Sequence, residues 1–356
     1  MWRGYYDHYV YKGTYYPYEN LYRDRNASDW VGSELQLRWD PRPNSRLTFG
    51  AEYQEHWRAE YLGRDGDAID FNLDLPYSIL SFYLQDENQL TQNLALTFGI
   101  RWDDYSTVGS VSAPRVALVY HPRQSSTLKL LYGEAFRAPS LWESKTDVNL
   151  YKSNPALMPE RIKTREAVWE QRLSAALFGA LSVYNYTMRD LIDPVVDPVD
   201  TLTQHRNISR AKASGLEAEL EARLPSGLQG FASLAYQNTR DAKRQKQALT
   251  NSPRRLVKIG VVYPALKHVQ AAVELQYETE RVTVYKTKTA PCWLANLRLS
   301  TAPGLKGNSV FEHLNISLSV NNLFNVALQT PGGVEHRQPA ITQNRRHYQV
   351  KVQCKL

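Results

Sequence analysis

Hydrophobic and polar positions alternate with a period of two along most of the chain, and a helical 3.6-residue period is almost nowhere present. Leu216, Ala218, Leu220, Ala222 and Leu224 fall on one side of a segment whose other side is Glu217, Glu219, Glu221 and Arg223. Leu94, Leu96, Phe98, Ile100 and Trp102 likewise oppose Ala95, Thr97, Gly99 and Arg101. The same pattern runs through Val257–Tyr263, Val269–Tyr277, Leu314–Val320 and Tyr348–Leu356. Successive side chains of a strand point to opposite faces, so each segment predicts a strand with one apolar and one polar side. Scanned in this way, the chain predicts about sixteen strands, many longer than the usual five or six residues and close to the roughly 9–11 that a tilted strand needs to cross a bilayer.

The connections predict an orientation. Short turns are expected near Pro41–Ser45, Asp86–Gln92, His121–Ser125, Arg172–Ala175, Pro225–Gly227 and Pro264–Lys267, most of them carrying Pro, Gly, Asn or Ser. Longer loops are expected near Tyr11–Asp29, Tyr61–Leu75, Arg137–Ile162, Arg189–Gln204, Arg240–Pro253 and Gln329–Thr342. Ser106–Ser110 and Lys286–Lys288 are short connections on the long side, and Thr301–Ser309 is a long one on the short side. Otherwise short and long alternate, as in outer-membrane barrels with short periplasmic turns and long external loops. With the short turns at the periplasmic end, Trp39, Tyr120 and Tyr263 sit near one membrane interface and Trp102, Tyr236 and Tyr277 near the other, two aromatic girdles. Glu217, Glu219, Glu221, Arg101, Arg115 and Lys258 then face the lumen.

Composition narrows the alternatives. The chain has 356 residues, with 23 Tyr and 8 Trp against 9 Phe, so rings with a polar edge dominate. The longest apolar run, Ala175–Leu181, is far short of the roughly 18 residues of a membrane-spanning helix. Two cysteines, Cys292 and Cys354, make neither a disulfide framework nor a zinc cluster. The net charge of +7 is spread among mixed signs, with no basic run beyond Arg345-Arg346, which argues against nucleic acid as a partner. The segment Met1-Trp2-Arg3-Gly4-Tyr5-Tyr6 has no apolar core or cleavage site of a signal peptide.

Between the strands lie motifs in a fixed order. Tyr132-Gly133-Glu134-Ala135-Phe136-Arg137-Ala138-Pro139-Ser140-Leu141 is followed by Asn154-Pro155-Ala156-Leu157-Met158-Pro159-Glu160. Gly215-Leu216-Glu217, Asn251-Ser252-Pro253-Arg254 and Asn321-Asn322-Leu323-Phe324-Asn325 come later. Together these resemble the motifs of TonB-dependent outer-membrane receptors of the siderophore and cobalamin type. The resemblance implies an antiparallel transmembrane β-barrel of about twenty-two strands, of which about sixteen are present. Residues 1–356 then correspond to the C-terminal part of the barrel, with signal peptide, TonB box, plug domain and first strands not included. It further implies energy-coupled uptake of a ferric siderophore, haem or cobalamin, with the plug, the TonB complex and outer-membrane lipid as partners. The family usually ends in an aromatic residue. Here Cys354-Lys355-Leu356 stands instead, with Leu356 keeping the outward parity.

The motif residues Tyr132, Gly133, Phe136, Arg137, Pro139, Asn154, Pro155, Pro159, Glu160, Asn322, Leu323 and Phe324 are read as shaping the fold rather than touching ligand. Gly133 is expected to admit a close neighbour, Pro139 to end strand pairing, and Pro155 and Pro159 to stiffen the loop. Recognition of a large chelate by stacking and charge is assigned to Trp142, Tyr151, Arg206 and Tyr285. Asp65, Asp67 and Asp70, around Gly66, are the candidate ligands of a loop-bound calcium, and Asp193, Asp197 and Asp200 form a weaker acidic cluster. No other cofactor is expected. The eight histidines are dispersed and no hydrolase, zinc-protease or phosphate-loop motif occurs, so no enzyme is expected. The alternatives are a passive sixteen-stranded porin and a soluble all-β binding protein. The soluble reading requires Leu216, Leu220 and Ile259 to be buried in a common protein core.

Overall fold

The computed structural model describes the chain except for residues 17–20, 149, 242–247, 267–268, 302–313, 334–335 and 355–356. The Thr301–Ser309 turn beyond Thr301, the centre of the 240–253 loop and Leu356 therefore lie outside the described residues. Among the described residues there are twenty strands and one short helix. The strands of the first third are β1 (Trp2–Tyr15), β2 (Tyr22–Arg42), β3 (Ser45–Asp65), β4 (Ala68–Asp74), β5 (Tyr77–Thr91), β6 (Leu94–Tyr105) and β7 (Gly109–Arg123). Then come β8 (Ser126–Arg137), α1 (Leu141–Lys145), β9 (Tyr151–Lys152), β10 (Glu160–Arg172), β11 (Leu177–Val196), β12 (Thr203–Arg223) and β13 (Gln229–Asp241). The last are β14 (Arg255–Leu266), β15 (Val269–Glu278), β16 (Cys292–Thr301), β17 (Leu314–Asn321), β18 (Gln329–Pro331), β19 (Ala340–Thr342) and β20 (His347–Cys354). Setting aside the short β4, β9, β18 and β19 leaves sixteen long strands, the number the alternation predicts. The all-β, antiparallel class holds.

The chain forms two compact units. One comprises Met1–Tyr120, Leu130–Arg165 and Tyr186–Arg210, the other His121–Lys129, Glu166–Asn185 and Ala211–Leu356. In the first, β1, β2, β3, β5, β6 and β7 pair successively in antiparallel register. In the second, β12 through β17 and then β20 do the same.

The two faces of each ladder differ as the pattern requires. In the first unit Leu35, Leu37, Phe49, Phe82, Leu84, Ile100 and Trp102 are all exposed, and Phe82 stacks between Phe49 and Trp102 at 6.5 and 5.9 Å. In the second, Leu220 and Ile259 are 43% and 39% exposed. They are not packed in a protein core, which excludes the two-layer soluble arrangement. Apolar surface on this scale costs about 25 cal/mol per Å² in water, so the solvent that fits it is hydrocarbon. Trp39, Tyr120 and Tyr263, beside the short-turn ends, are exposed, as are Trp102 and Tyr236 toward the other end. Tyr277 packs on Trp293 at 4.7 Å.

The opposite face carries a polar ladder. Glu34 and Glu52 are direct cross-strand partners, a like-charge pair that would be unfavourable alone. Arg3 meets Glu34 at 2.7 Å and Arg101 meets Glu52 at 3.1 Å, which offsets it. Arg101 also donates to Asp103 at 2.8 Å, and Ser81 donates to the same carboxylate at 2.6 Å. Tyr83 donates to Glu34 and accepts from Gln36, both at 2.9 Å, while its ring lies over Gly50, where a Cβ would collide with it.

Two expectations about loops are corrected. Tyr11–Asp29 and Tyr61–Leu75 are largely continuations of paired strand: Tyr15 pairs with Tyr22, and β4 folds back on β3 through a tight turn at Gly66, whose φ of 60° suits glycine. Their polar composition hid the alternation. Gly133 is the third correction: a Cβ there would meet nothing within 4 Å, so no close neighbour demands glycine.

Candidate functional site

The segment between β8 and β10 is built on charge and capping. Ser140 caps α1: its Oγ accepts from the Glu143 N–H at 3.2 Å, and the Glu143 carboxylate accepts from the Ser140 N–H at 2.8 Å, a reciprocal capping box. Arg137, the last residue of β8, donates through Nη1 and Nη2 to Glu143 at 2.8 and 3.0 Å and through Nε to Glu160 at 2.7 Å. Burial alone would raise the Glu143 pKa, but Arg137 and the Ser140 donors outweigh it and hold the carboxyl below its ordinary value. The second Glu160 oxygen accepts from the Ile192 N–H of β11 at 2.8 Å. Thus Arg137 and Glu160 join the two consecutive motifs in one network, in keeping with a fold-shaping role. Pro139 follows the last paired residue of β8, Phe136 packs edge-on against Tyr105 at 6.1 Å, and Arg165 lies over the Tyr132 ring at 6.0 Å.

The same loop is tied to β12. Tyr151 and Lys152 of β9 pair in parallel with Thr203 and Gln204. Asn154 donates to the His205 carbonyl at 2.8 Å, and Asn207 accepts from the Met158 N–H and donates to its carbonyl, both at 2.8 Å. Lys152 Nζ lies 2.8 Å from Asp197 and 2.6 Å from Asp200, and Arg206 donates to Asp197 at 2.7 Å. Asp197 is held well below the usual carboxylate range, first by Lys152, then by the Val199 N–H and by Arg206. Asp200 is lowered by Lys152 and the Leu202 N–H, and Lys152 is correspondingly raised.

Of the four residues assigned to ligand recognition, three belong to this region. Trp142 and Tyr151 are in ring contact at 6.2 Å. Tyr151 stacks on His205 at 6.0 Å, and Trp142 meets Phe71 at 5.6 Å and Tyr61 at 6.5 Å. Phe71, Trp142, Tyr151 and His205 therefore make a row of rings that sequence reasoning found only in part: Phe71, Tyr61 and His205 carried no periodic or motif cue. Arg206 is adjacent to His205, but its guanidinium is already matched by Asp197, so it is not the free cation expected. Tyr285 belongs to the other unit, where its hydroxyl donates to the His336 carbonyl at 2.7 Å.

Asp65, Gly66 and Asp67 form a hairpin turn, Asp70 accepts from the Tyr22 hydroxyl at 2.9 Å, and no group of three His, Cys, Asp or Glu side chains among the described residues converges as a cation requires. Asp197 and Asp200 are neutralised by Lys152 and Arg206, and Asp193 accepts from Ser209. In the later motif, Asn322 adopts a left-handed φ of 52° and ties its side chain to both backbone groups of Val326 at 2.8 Å, Leu323 donates its N–H to the Ala295 carbonyl, and Phe324 is exposed.

Comparison with known proteins accords with this architecture. The ferric enterobactin receptor of Pseudomonas aeruginosa is 24% identical over 298 residues, covering 72% of this chain and 39% of that protein. The iron-regulated outer membrane virulence protein of Vibrio cholerae is 28% identical over 172 residues, 43% of this chain and 26% of that one. The chain thus spans well under half of the curated relatives' length. Among solved structures, a ferric enterobactin receptor mutant from Pseudomonas aeruginosa in complex with enterobactin superposes with a TM-score of 0.77 at 18% identity, covering 99% of this chain and 59% of that one. The copper transporter OprC gives 0.77 at 16% identity, covering 100% and 62%. The ferric citrate transporter FecA gives 0.76 at 15% identity, covering 99% and 58%. The sequence profile of the family described as TonB dependent receptor-like, beta-barrel matches residues 1–323, and the chain belongs to that family.

Proposed function

We propose that this chain is the wall and outer loop region of a receptor that imports a ferric siderophore with energy delivered by the TonB complex, acting together with a plug domain. The ring row Phe71–Trp142–Tyr151–His205, with Trp142 held on α1 by the Arg137–Glu143 pair and Tyr151 beside the Lys152–Asp197 pair, carries this reading. Stacking faces held on braced backbone suit a large planar-armed chelate, because little ordering entropy is lost on binding. The names of the curated relatives, a ferric enterobactin receptor and an iron-regulated outer membrane virulence protein, support iron as the cargo. Uptake of radiolabelled ferric chelates by iron-starved cells producing the receptor tests it. Binding that persists after an uncoupler while uptake stops supports the proposal. Uptake indifferent to the uncoupler, or a steady current across a planar bilayer, would instead mark a passive pore.

A further inference from the structure

A cavity of about 310 Å³ in the first unit lies next to the ring row and is lined by Tyr9 of β1, Tyr61 of β3, Tyr77 of β5 and Tyr105 of β6 and by Pro139–Leu141 at the start of α1. Tyr9, Tyr77 and Tyr105 face the polar side of the sheet by plain alternation, and Tyr61 joins them because of a bulge. Asp29 pairs with Arg58 and Trp30 with His56, which leaves Trp57 unpaired. The extra residue reverses the alternation of β3, so Tyr61, an odd number of positions beyond His56, shares its face. Tyr77 is braced on one side, where His56 stacks on it at 4.2 Å and Trp30 stacks on His56 at 5.2 Å. Tyr105 is braced by Phe136 at 6.1 Å. Tyr61, Tyr77 and Tyr105 line the same cavity, and none of the three hydroxyls takes a hydrogen bond from or gives one to a described residue. Glu60, at the margin, is matched by Arg25 and Arg58.

We infer that this tyrosine niche is a binding site for one aryl arm of the imported chelate, and that it selects iron chelates bearing aromatic amide or phenolate arms over aliphatic hydroxamate or carboxylate ones. The inference rests on the receptor reading above and names its substrate class. The open face of a braced Tyr77 offers stacking, and convergent phenols offer hydrogen-bond donors to ring-borne oxygens, with no unmatched charge in the lining. The volume lies at the lower end of the roughly 300–1,000 Å³ typical of ligand pockets, suited to one ring-bearing arm and not to a whole large chelate.

The test uses the full receptor in outer-membrane vesicles and three probes: an iron-free catechol carboxamide, a ferric tris-catecholate and a ferric trihydroxamate. Tyr77→Ala is expected to weaken the carboxamide and the tris-catecholate by about tenfold or more, the loss of one stacked ring. The triple change Tyr61→Phe, Tyr77→Phe and Tyr105→Phe keeps every ring and is expected to weaken both by about three- to tenfold, the net value of a hydrogen bond or two. Trihydroxamate binding should stay within about twofold throughout, the background of a surface change. If Tyr77→Ala fails to assemble, the phenylalanine triple decides alone. Catecholate and hydroxamate falling in parallel, or carboxamide binding unmoved by either variant, would overturn the niche. Carboxamide binding lost in the variants while no ferric chelate is taken up by the wild type would keep the niche and overturn the receptor reading.

Discussion

Arg137 grips both oxygens of Glu143, through Nη1 at 2.8 Å and Nη2 at 3.0 Å, so that the end of β8 holds the helix that follows it only six residues away. The planar guanidinium also reaches Glu160 through Nε, a three-way geometry that an ammonium cannot reproduce. Arg137→Lys is therefore expected to behave like Arg137→Ala and not like the wild type. Because Arg137 is about half exposed, solvent screening limits the loss to about 1 kcal/mol, or about fivefold in the open population of the loop. Limited proteolysis of intact cells, followed at the 138–159 segment, reads that change, since cleavage tracks local opening. A lysine variant as resistant as wild type would show that charge alone suffices.

The Lys152 clasp predicts a pH profile. Asp197 and Asp200 are lowered from 3.8 in the folded loop, so they add stability that is fully present above that ordinary value and is lost as pH falls through their depressed values. Lys152 is raised from 10.5, so its share is complete below 10.5 and lost as pH rises through the raised value. Between these limits the clasp is pH-indifferent. The amides of Val199 and Leu202, which donate to the two aspartates at 3.0 Å, are the reporters. Their hydrogen-exchange protection, corrected for intrinsic rates, should be flat from about pH 5 to pH 9 and fall on the acid side. In Lys152→Met the plateau protection should be lower and the acid-side fall smaller and complete at higher pH, because the folded-state aspartate values rise toward normal.

Gly50 and Tyr83 are direct partners, and the ring occupies the space a side chain at Gly50 would need. Gly50→Ala is expected to push Tyr83 off Glu34 and Gln36 and to cost about 1–3 kcal/mol, the usual range for overpacking. Adding Tyr83→Ala should recover part of this, a non-additivity readable as heat-modifiable mobility of the folded barrel on gels. A glycine opposite an aromatic is a cross-strand relationship that no one-dimensional spacing displays until register is known.

That limit separates what could be read from the sequence from what could not. Strand number, the antiparallel class and the identity of the apolar face followed from alternation alone, because Leu220 and Ile259 are held to one side by the pleat itself. Where polarity runs on both faces, as in Tyr61–Leu75, the same rule is silent and the sequence predicts loop where the structure has strand. The bulge at Trp57 could not be seen, since one unpaired residue depends on a partner strand, and with it the placement of Tyr61 beside Tyr77 was hidden. Arg206 looked available because its partner Asp197 comes from the far side of a turn nine residues upstream. Trp142 and Tyr151 were found from ring chemistry alone, but their neighbours Phe71 and His205 lie tens of residues away and were not.

The contrast between Lys258 and Ile259 provides the sharpest check on the membrane assignment. They are adjacent in β14 and point to opposite faces, Ile259 39% exposed on the apolar side. In water, a lysine at position 259 would be harmless, since an exposed apolar side chain would simply be exchanged for a solvated one. In hydrocarbon, Ile259→Lys should cost about 2–4 kcal/mol near the bilayer midplane, while Lys258→Ile, on the polar face, should be close to neutral for assembly. The yield of protease-resistant receptor in outer-membrane fractions distinguishes the two. Equal tolerance at both positions would mean that the face bearing Ile259 does not meet lipid.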